Sequence, residues 1–172
     1  MSAPSANLLV AVSRGVGWVK IIGRANFTSS VDFKRLMTEL QQRNYSHFVL
    51  DLSECVLMDS TFLGVLAGLG LQMSRGNTEE NESCIELLNP NSRITDLLVN
   101  LGVAHLFKVI TNTHPSSDRF TAQYVAINPS REEISRTSLE AHRTLMEINP
   151  ANVPKFKDVT EFLAESLKRG EV

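Results

Sequence analysis

Asp59, Ser60 and Thr61 place a carboxylate and two hydroxyls where an apolar run gives way to a helical pattern. Before them, Phe48, Val49, Leu50 and Leu52 form a short apolar stretch, as expected of a strand covered on both faces. Asp51, Ser53 and Glu54 bring the chain to the surface, and Val56, Leu57 and Met58 return it inward. After them, Leu63, Leu66, Ala67, Gly70 and Met73 recur at helical spacing. Side-chain oxygens of Asp, Ser and Thr accept the unpaired N–H groups of a helix start. The pattern therefore predicts a strand, a tight surface turn and a helix whose positive end carries two exposed hydroxyls. Free N–H groups and the partial positive charge of such an end favour an added phosphate. A phosphate brings about −1.5 to −2 charges to the surface, and so opposes any partner pressed against it. On spacing alone, capping is the commoner role for a serine placed like Ser60. Asp59 fits turn-and-cap chemistry as well as it fits orienting an acceptor hydroxyl or a kinase's metal-nucleotide.

The run D-L-S-x-x-x-x-M-D-S-[ST]-x-L-G-V-L, residues 51–66, resembles the STAS domain of anti-sigma factor antagonists. The resemblance extends over roughly Leu8 to Asn112, and the segments Leu101-Gly102-Val103 and Phe107-Lys108-Val109-Ile110 are similar to the family's closing helix-to-strand junction. It implies that Ser60 is the phosphoacceptor, with Thr61 the second candidate. It implies a partner surface at Asp59, Thr61 and Phe62, with Asn26 and Phe27 brought close by the loop from Gly23 to Ser30. The family usually has glycine two positions after the acceptor, where this chain has Phe62. That places a bulky apolar group where a partner's loop would approach, unless the ring tucks under the neighbouring loop. The implied function is that of a non-enzymatic switch. Unphosphorylated, it binds an anti-sigma-type serine kinase; phosphorylation at Ser60 releases it and a Ser/Thr phosphatase resets it. The alternative is a constitutive STAS binding module, such as the cytosolic subunit of a membrane transporter of lipids.

Around this motif the chain reads as two strands, helix, strand, helix, strand, helix, strand. Leu8–Ser13 and Trp18–Ile22 flank Arg14-Gly15-Val16-Gly17, a hairpin signal. Ser29 or Ser30 can cap a helix carrying Val31, Phe33, Leu36, Met37 and Leu40. After the central helix comes a charged loop over Arg75–Glu82, then a strand over Ser83–Leu88. Asn89-Pro90-Asn91-Ser92 opens a helix with Ile94, Leu97, Leu98 and Leu101, which Gly102 closes, and Leu106–Ile110 is the last strand. This order implies an α/β fold, a mixed β-sheet with helices packed on it (STAS-like), plus a C-terminal helical extension. The expected division is 1–112 for the STAS-like domain, 113–130 for a linker with an edge strand near Gln123–Ile127, and 131–172 for the extension. In the extension, Ser130 and Glu133 have capping-box spacing, and Ile134, Leu139, Leu145, Met146 and Ile148 form an imperfect stripe. Phe156, Val159, Phe162, Leu163 and Leu167 line a last helix that begins at Pro154. That stripe is too apolar to leave in water. It must pack on its neighbour helix, on the sheet or on a second subunit, so a homodimer through the C-terminal helices is one expectation.

Composition narrows the classes. The 172 residues are 42% hydrophobic and 21% charged with a formal net charge of −2, enough apolar content for a core and no basic stripe for nucleic acid. Neither a basic, apolar leader nor a run long enough to span a bilayer is evident, so a cytoplasmic protein without membrane insertion is expected. Cys55 and Cys84 read as reduced core thiols. His47, His105, His114 and His142 lack metal-ligand spacing, and no Gly-rich phosphate loop or G-x-S-x-G context occurs. No metal, cofactor or catalytic residue is expected.

Overall fold

The computed structural model describes residues 5–75, 84–111, 119–120 and 122–172. The loop expected over residues 76–82, the strand start at Ser83 and the linker over residues 113–118 lie outside the described residues.

The mixed sheet is observed as expected. Strands β1 (Asn7–Ser13) and β2 (Val16–Ala25) form an antiparallel hairpin, and β3 (His47–Asp51), β4 (Cys55–Met58), β5 (Ile85–Leu88) and β6 (Lys108–Ile110) pair in parallel. A two-residue β7 (Ala122–Gln123) pairs antiparallel with β1, so the order is β6-β5-β3-β2-β1-β7, with β4 on the far end of β2. The hairpin turns at Arg14 and Gly15, both with positive φ (51° and 77°), the combination that matches the twist of the flanking strands.

Three local expectations need correction. Helix α1 (Phe27–Gln42) is capped by Asn26, not by Ser29 or Ser30. The Asn26 side chain accepts from Ser29 N at 3.1 Å, and Ser29 Oγ accepts from Asn26 N at 3.0 Å. The reason is that β2 runs on to Ala25, held in register with Met58 of β4, so no loop from Gly23 to Ser30 exists. The return inward at Val56–Met58 is itself a strand, β4. The edge strand near Gln123–Ile127 shrinks to β7.

Helix α2 (Ser60–Arg75) determines the layering. Thr61 through Ala67 are all buried, as are Leu69 and Gly70. A helix buried all round needs cover on both sides. One side belongs to the main core, where Phe62, Leu63 and Leu66 meet Phe33 and Met37 of α1 and Phe48 and Leu50 of β3. The other side is met by α4 (Arg131–Ile148), which packs on α2 and α1, with α5 (Val153–Arg169) packed on α4. The capping box at α4 forms as expected from Ser130 and Glu133. At α5, Phe156, Leu163 and Leu167 are partly covered, while Phe162 stays 68% exposed. Helix α3 (Ser92–Asn100) is capped by Asn91 and followed by Gly102 with φ 69°.

The turn between α4 and α5 is fixed by Asn152, which is fully buried. Its Nδ2 donates to Leu101 O and Leu145 O, both at 2.9 Å, joining the ends of α3 and α4. Removing the donor takes this partner from the buried Leu101 carbonyl, while Leu145 O keeps Asn149 N at 3.1 Å. Asn152→Ala is expected to lower stability by about 1–3 kcal/mol, read as a shift of the chemical-denaturation midpoint; an unchanged midpoint would remove Asn152 from this role.

Candidate functional site

The site is built at the shared end of β2 and β4, where α1 and α2 both begin. Asp59 N donates to Ala25 O at 2.9 Å, tying the start of α2 to the end of β2. Asp59 Oδ1 accepts from Phe62 N at 2.9 Å, and Leu63 N donates to Asp59 O at 3.0 Å. Asp59 is therefore the N-cap of α2, and Ser60 is its first residue. Burial raises the Asp59 carboxyl above its ordinary value, while backbone N–H groups of Phe62, Phe27 and Thr61 oppose the rise. Two helix N-termini thus converge on one carboxylate, and Asn26 and Phe27 do lie beside the start of α2.

The hydroxyls are not displayed to solvent as the sequence suggested. Ser60 is half-buried, and its Oγ lies 2.9 Å from His142 Nε2 of α4. Thr61 is buried, and its Oγ1 lies 3.0 Å from Ser138 Oγ, one turn before His142. Ser138 Oγ is also 3.5 Å from His142 Nδ1, and the imidazole packs against the ring of Phe156 at 4.7 Å. One turn further along α2, a Cβ on Gly64 would stand 2.5 Å from Ala141 O, so the two helix backbones approach as closely as they do only because residue 64 has no side chain. The correction has one cause: α2 has no polar face, and α4 covers the side the sheet cannot.

The remaining expected residues divide. Phe62 is fully buried and stacked on Phe33, with ring centroids 4.7 Å apart, so it offers no surface to a partner here. Asn26 is engaged as the cap of α1, and Phe27 is 50% exposed beside it. His142 was missed. Its signal is the spacing Ser138, Ala141, His142, Leu145, a stripe of small and polar residues that reads as a solvated face until α2 is known to present glycines and hydroxyls.

The chemistry available is limited. His142 is 5% exposed, and burial lowers its imidazole below the ordinary 6.5, with the backbone of Ser138 pulling it part of the way back. Ser60 Oγ and His142 Nε2 share a hydrogen bond whose donor is set by the imidazole tautomer. Among the described residues no carboxylate is hydrogen-bonded to the ring, unlike the arrangement that activates a serine nucleophile. Among the described residues no three His, Cys, Asp or Glu side chains could hold a metal ion, and no helix is long and apolar enough to cross a membrane. Two clefts border α4. One of about 540 Å³ separates it from α1, the other of about 130 Å³ separates it from α2, and Ser60 lines neither.

A parallel-sheet core with a hairpin edge, and an Asp-Ser pair opening the buried central helix, define a STAS-type module. The STAS domain family model matches residues 7–118, and the chain belongs to that family. Solved structures similar to it include a candidate anti-sigma factor antagonist from Thermotoga maritima. It is 19% identical with a TM-score of 0.52, covering 62% of this chain and 86% of that one. Another is the anti-sigma factor antagonist SpoIIAA in its unphosphorylated form, 13% identical with a TM-score of 0.50, covering 61% of this chain and 89% of that one. At these identities the likeness establishes the fold. No curated protein matches the chain. Helices α4 and α5 lie beyond the family match.

The depressed imidazole gives a pH test. Above 6.5 His142 is neutral in both folded and unfolded chains. As pH falls below 6.5 the unfolded chain takes up the proton first, so stability is lost from 6.5 down to the lower folded value. The denaturation midpoint is expected to fall between pH 7.5 and 5.5, and His142→Gln, which cannot titrate, is expected to fall less. Equal slopes for the two proteins would contradict the buried, neutral imidazole.

Proposed function

We propose that this chain is a non-catalytic STAS switch whose phosphoacceptor is Ser60, with Thr61 the weaker candidate. Unphosphorylated, it binds an anti-sigma-type serine kinase of the cytoplasm; phosphorylation releases it and a Ser/Thr phosphatase resets it. The observation that carries this reading is the division of labour at the start of α2. Asp59 does the capping, so the Ser60 hydroxyl is not needed to hold the helix and can be modified without undoing it. The helix N-terminus favours the added anion. Family membership and the fold shared with SpoIIAA support it. Thr61 is the poorer acceptor because it is only 4% exposed. Residues 1–112 are read as the switch and 131–172 as an extension that modifies access to it.

The competing reading is a constitutive STAS binding module, such as a subunit of a membrane transporter. It is favoured by the engagement of both hydroxyls within the chain. Incubation with an anti-sigma-type serine kinase and ATP, followed by mass-spectrometric mapping, separates the two. Phosphate is expected on Ser60 and absent from Ser60→Ala, and Ser60→Asp is expected to lose kinase binding while keeping its fold. Efficient phosphorylation that spares Ser60 and Thr61 would refute the site, as would undiminished binding by Ser60→Asp. Co-purification with a membrane ATPase that is indifferent to Ser60→Asp would establish the constitutive reading.

A further inference from the structure

We propose that α4 and α5 form a displaceable cap over the phosphoacceptor face, and that a phosphate on Ser60 and the closed cap exclude each other. The inference rests on the reading of Ser60 as the acceptor.

The seam leaves no room for the group. Ser60 Oγ and His142 Nε2 are already at hydrogen-bond distance, and Thr61 and Ser138 are likewise in contact one residue along. At Gly64 the α4 backbone sits where even a methyl group would collide, so α4 cannot slide inward to make space elsewhere. Phosphorylation also replaces the hydroxyl that Ser60 contributes to this hydrogen bond. Apart from the N-terminus of α2, the described side chains around Ser60 offer the charge no cation already aimed at it. Asp59, the neighbouring residue, is a half-buried carboxyl and offers the phosphate no positive charge. The cations of α1 near α4 are committed, Lys34 to Glu140 at 2.8 Å and Arg35 to Glu133. The imidazole facing Ser60 is enclosed by Phe156.

The cap is held chiefly along α2, with Ile148 and Phe156 partly buried against the core beside it. Of its buried apolar side chains, only Ala141 and Leu145 belong to the main core cluster. Its remaining ties to α1 are exposed ion pairs, which contribute little in water. Clefts run along both its sides. A terminal helix pair packed outside the sheet layer can open as one cooperative unit before the sheet does. When α4 leaves, Thr61, Gly64 and Gly68 are uncovered, a narrow strip of small residues on α2 shaped for another helix. A partner docking at Ser60 and the closed cap therefore compete for the same surface.

The test uses the full chain with phosphoserine incorporated at position 60 during translation, so no kinase is involved. Amide hydrogen exchange is compared with that of the unmodified chain. The expected result is roughly tenfold or greater acceleration across α4 and α5 with β1–β3 unchanged, the pattern of local opening. Unmodified Gly64→Ala, which wedges the seam at Ala141 while α2 itself loses a poor helix former, is expected to reproduce that pattern. Unchanged or slower exchange in α4 of the phosphorylated chain would overturn the proposal, the slower result meaning that His142 holds the phosphate. Acceleration throughout the sheet would overturn it too, because release would not be selective. Failure here leaves Ser60 standing as acceptor, whereas failure of kinase mapping at Ser60 leaves the exchange result intact.

Discussion

Helix α2 has no face it can show to water. From Thr61 to Ala67 every residue is buried, so the helix needs an apolar neighbour on the sheet side and a second one opposite. The sheet side takes Phe62, Leu63 and Leu66, whose large side chains fill the core with Phe33 and Phe48. The opposite side offers Gly64 and Gly68, and only a helix with small residues can come close enough to exclude solvent there. Ala141 of α4 meets that demand. The position of His142 then follows from helical geometry: one residue beyond Ala141, it reaches the first turn of α2 and meets the Ser60 hydroxyl.

The same end of α2 separates two roles that short motifs often merge. Asp59 holds the backbone of the first turn, its carboxylate also drawing on the N–H of Phe27 at the start of α1. Ser60 is left with a hydroxyl that contributes one contact to α4 and none to its own helix. A capping residue and a hydroxyl that its helix does not use therefore stand side by side, and changing the second does not require disturbing the first. The family to which the chain belongs supplies the sheet and this helix; the cover over the hydroxyl lies outside the matched residues.

How far the sequence could be read depended on whether a signal was local. The Arg14-Gly15 hairpin, the strand β3 and the capping box at Ser130 are fixed by neighbours in the chain, and each was legible. β4 was not, because Cys55–Met58 has only four residues and its identity comes from pairing with the end of β2. The cap of α1 was misplaced by three residues, because Asn26 and Ser29 both suit the role and tertiary pairing of β2 decides between them. The cover over Ser60 was the least visible. Its contact surface consists of Ser138, Ala141 and His142, residue types equally at home on a solvated face, and its meaning depends on glycines some seventy residues earlier. Even so, the all-apolar pattern of α2 already signalled that a second layer was required.

The central claim is that α4 lies on α2 over the Ser60 hydroxyl in the free protein. It can be tested by disulfide trapping of Gly68→Cys with Thr144→Cys in a Cys84→Ser background. A Cβ at residue 68 would lie 3.6 Å from Thr144 Cγ2, so the two side chains would touch across the seam, as a disulfide between them requires. Rapid, near-complete oxidation to an intrachain disulfide in the unmodified chain is expected. Thiols that remain free under the same oxidant would contradict the packing on which the account depends.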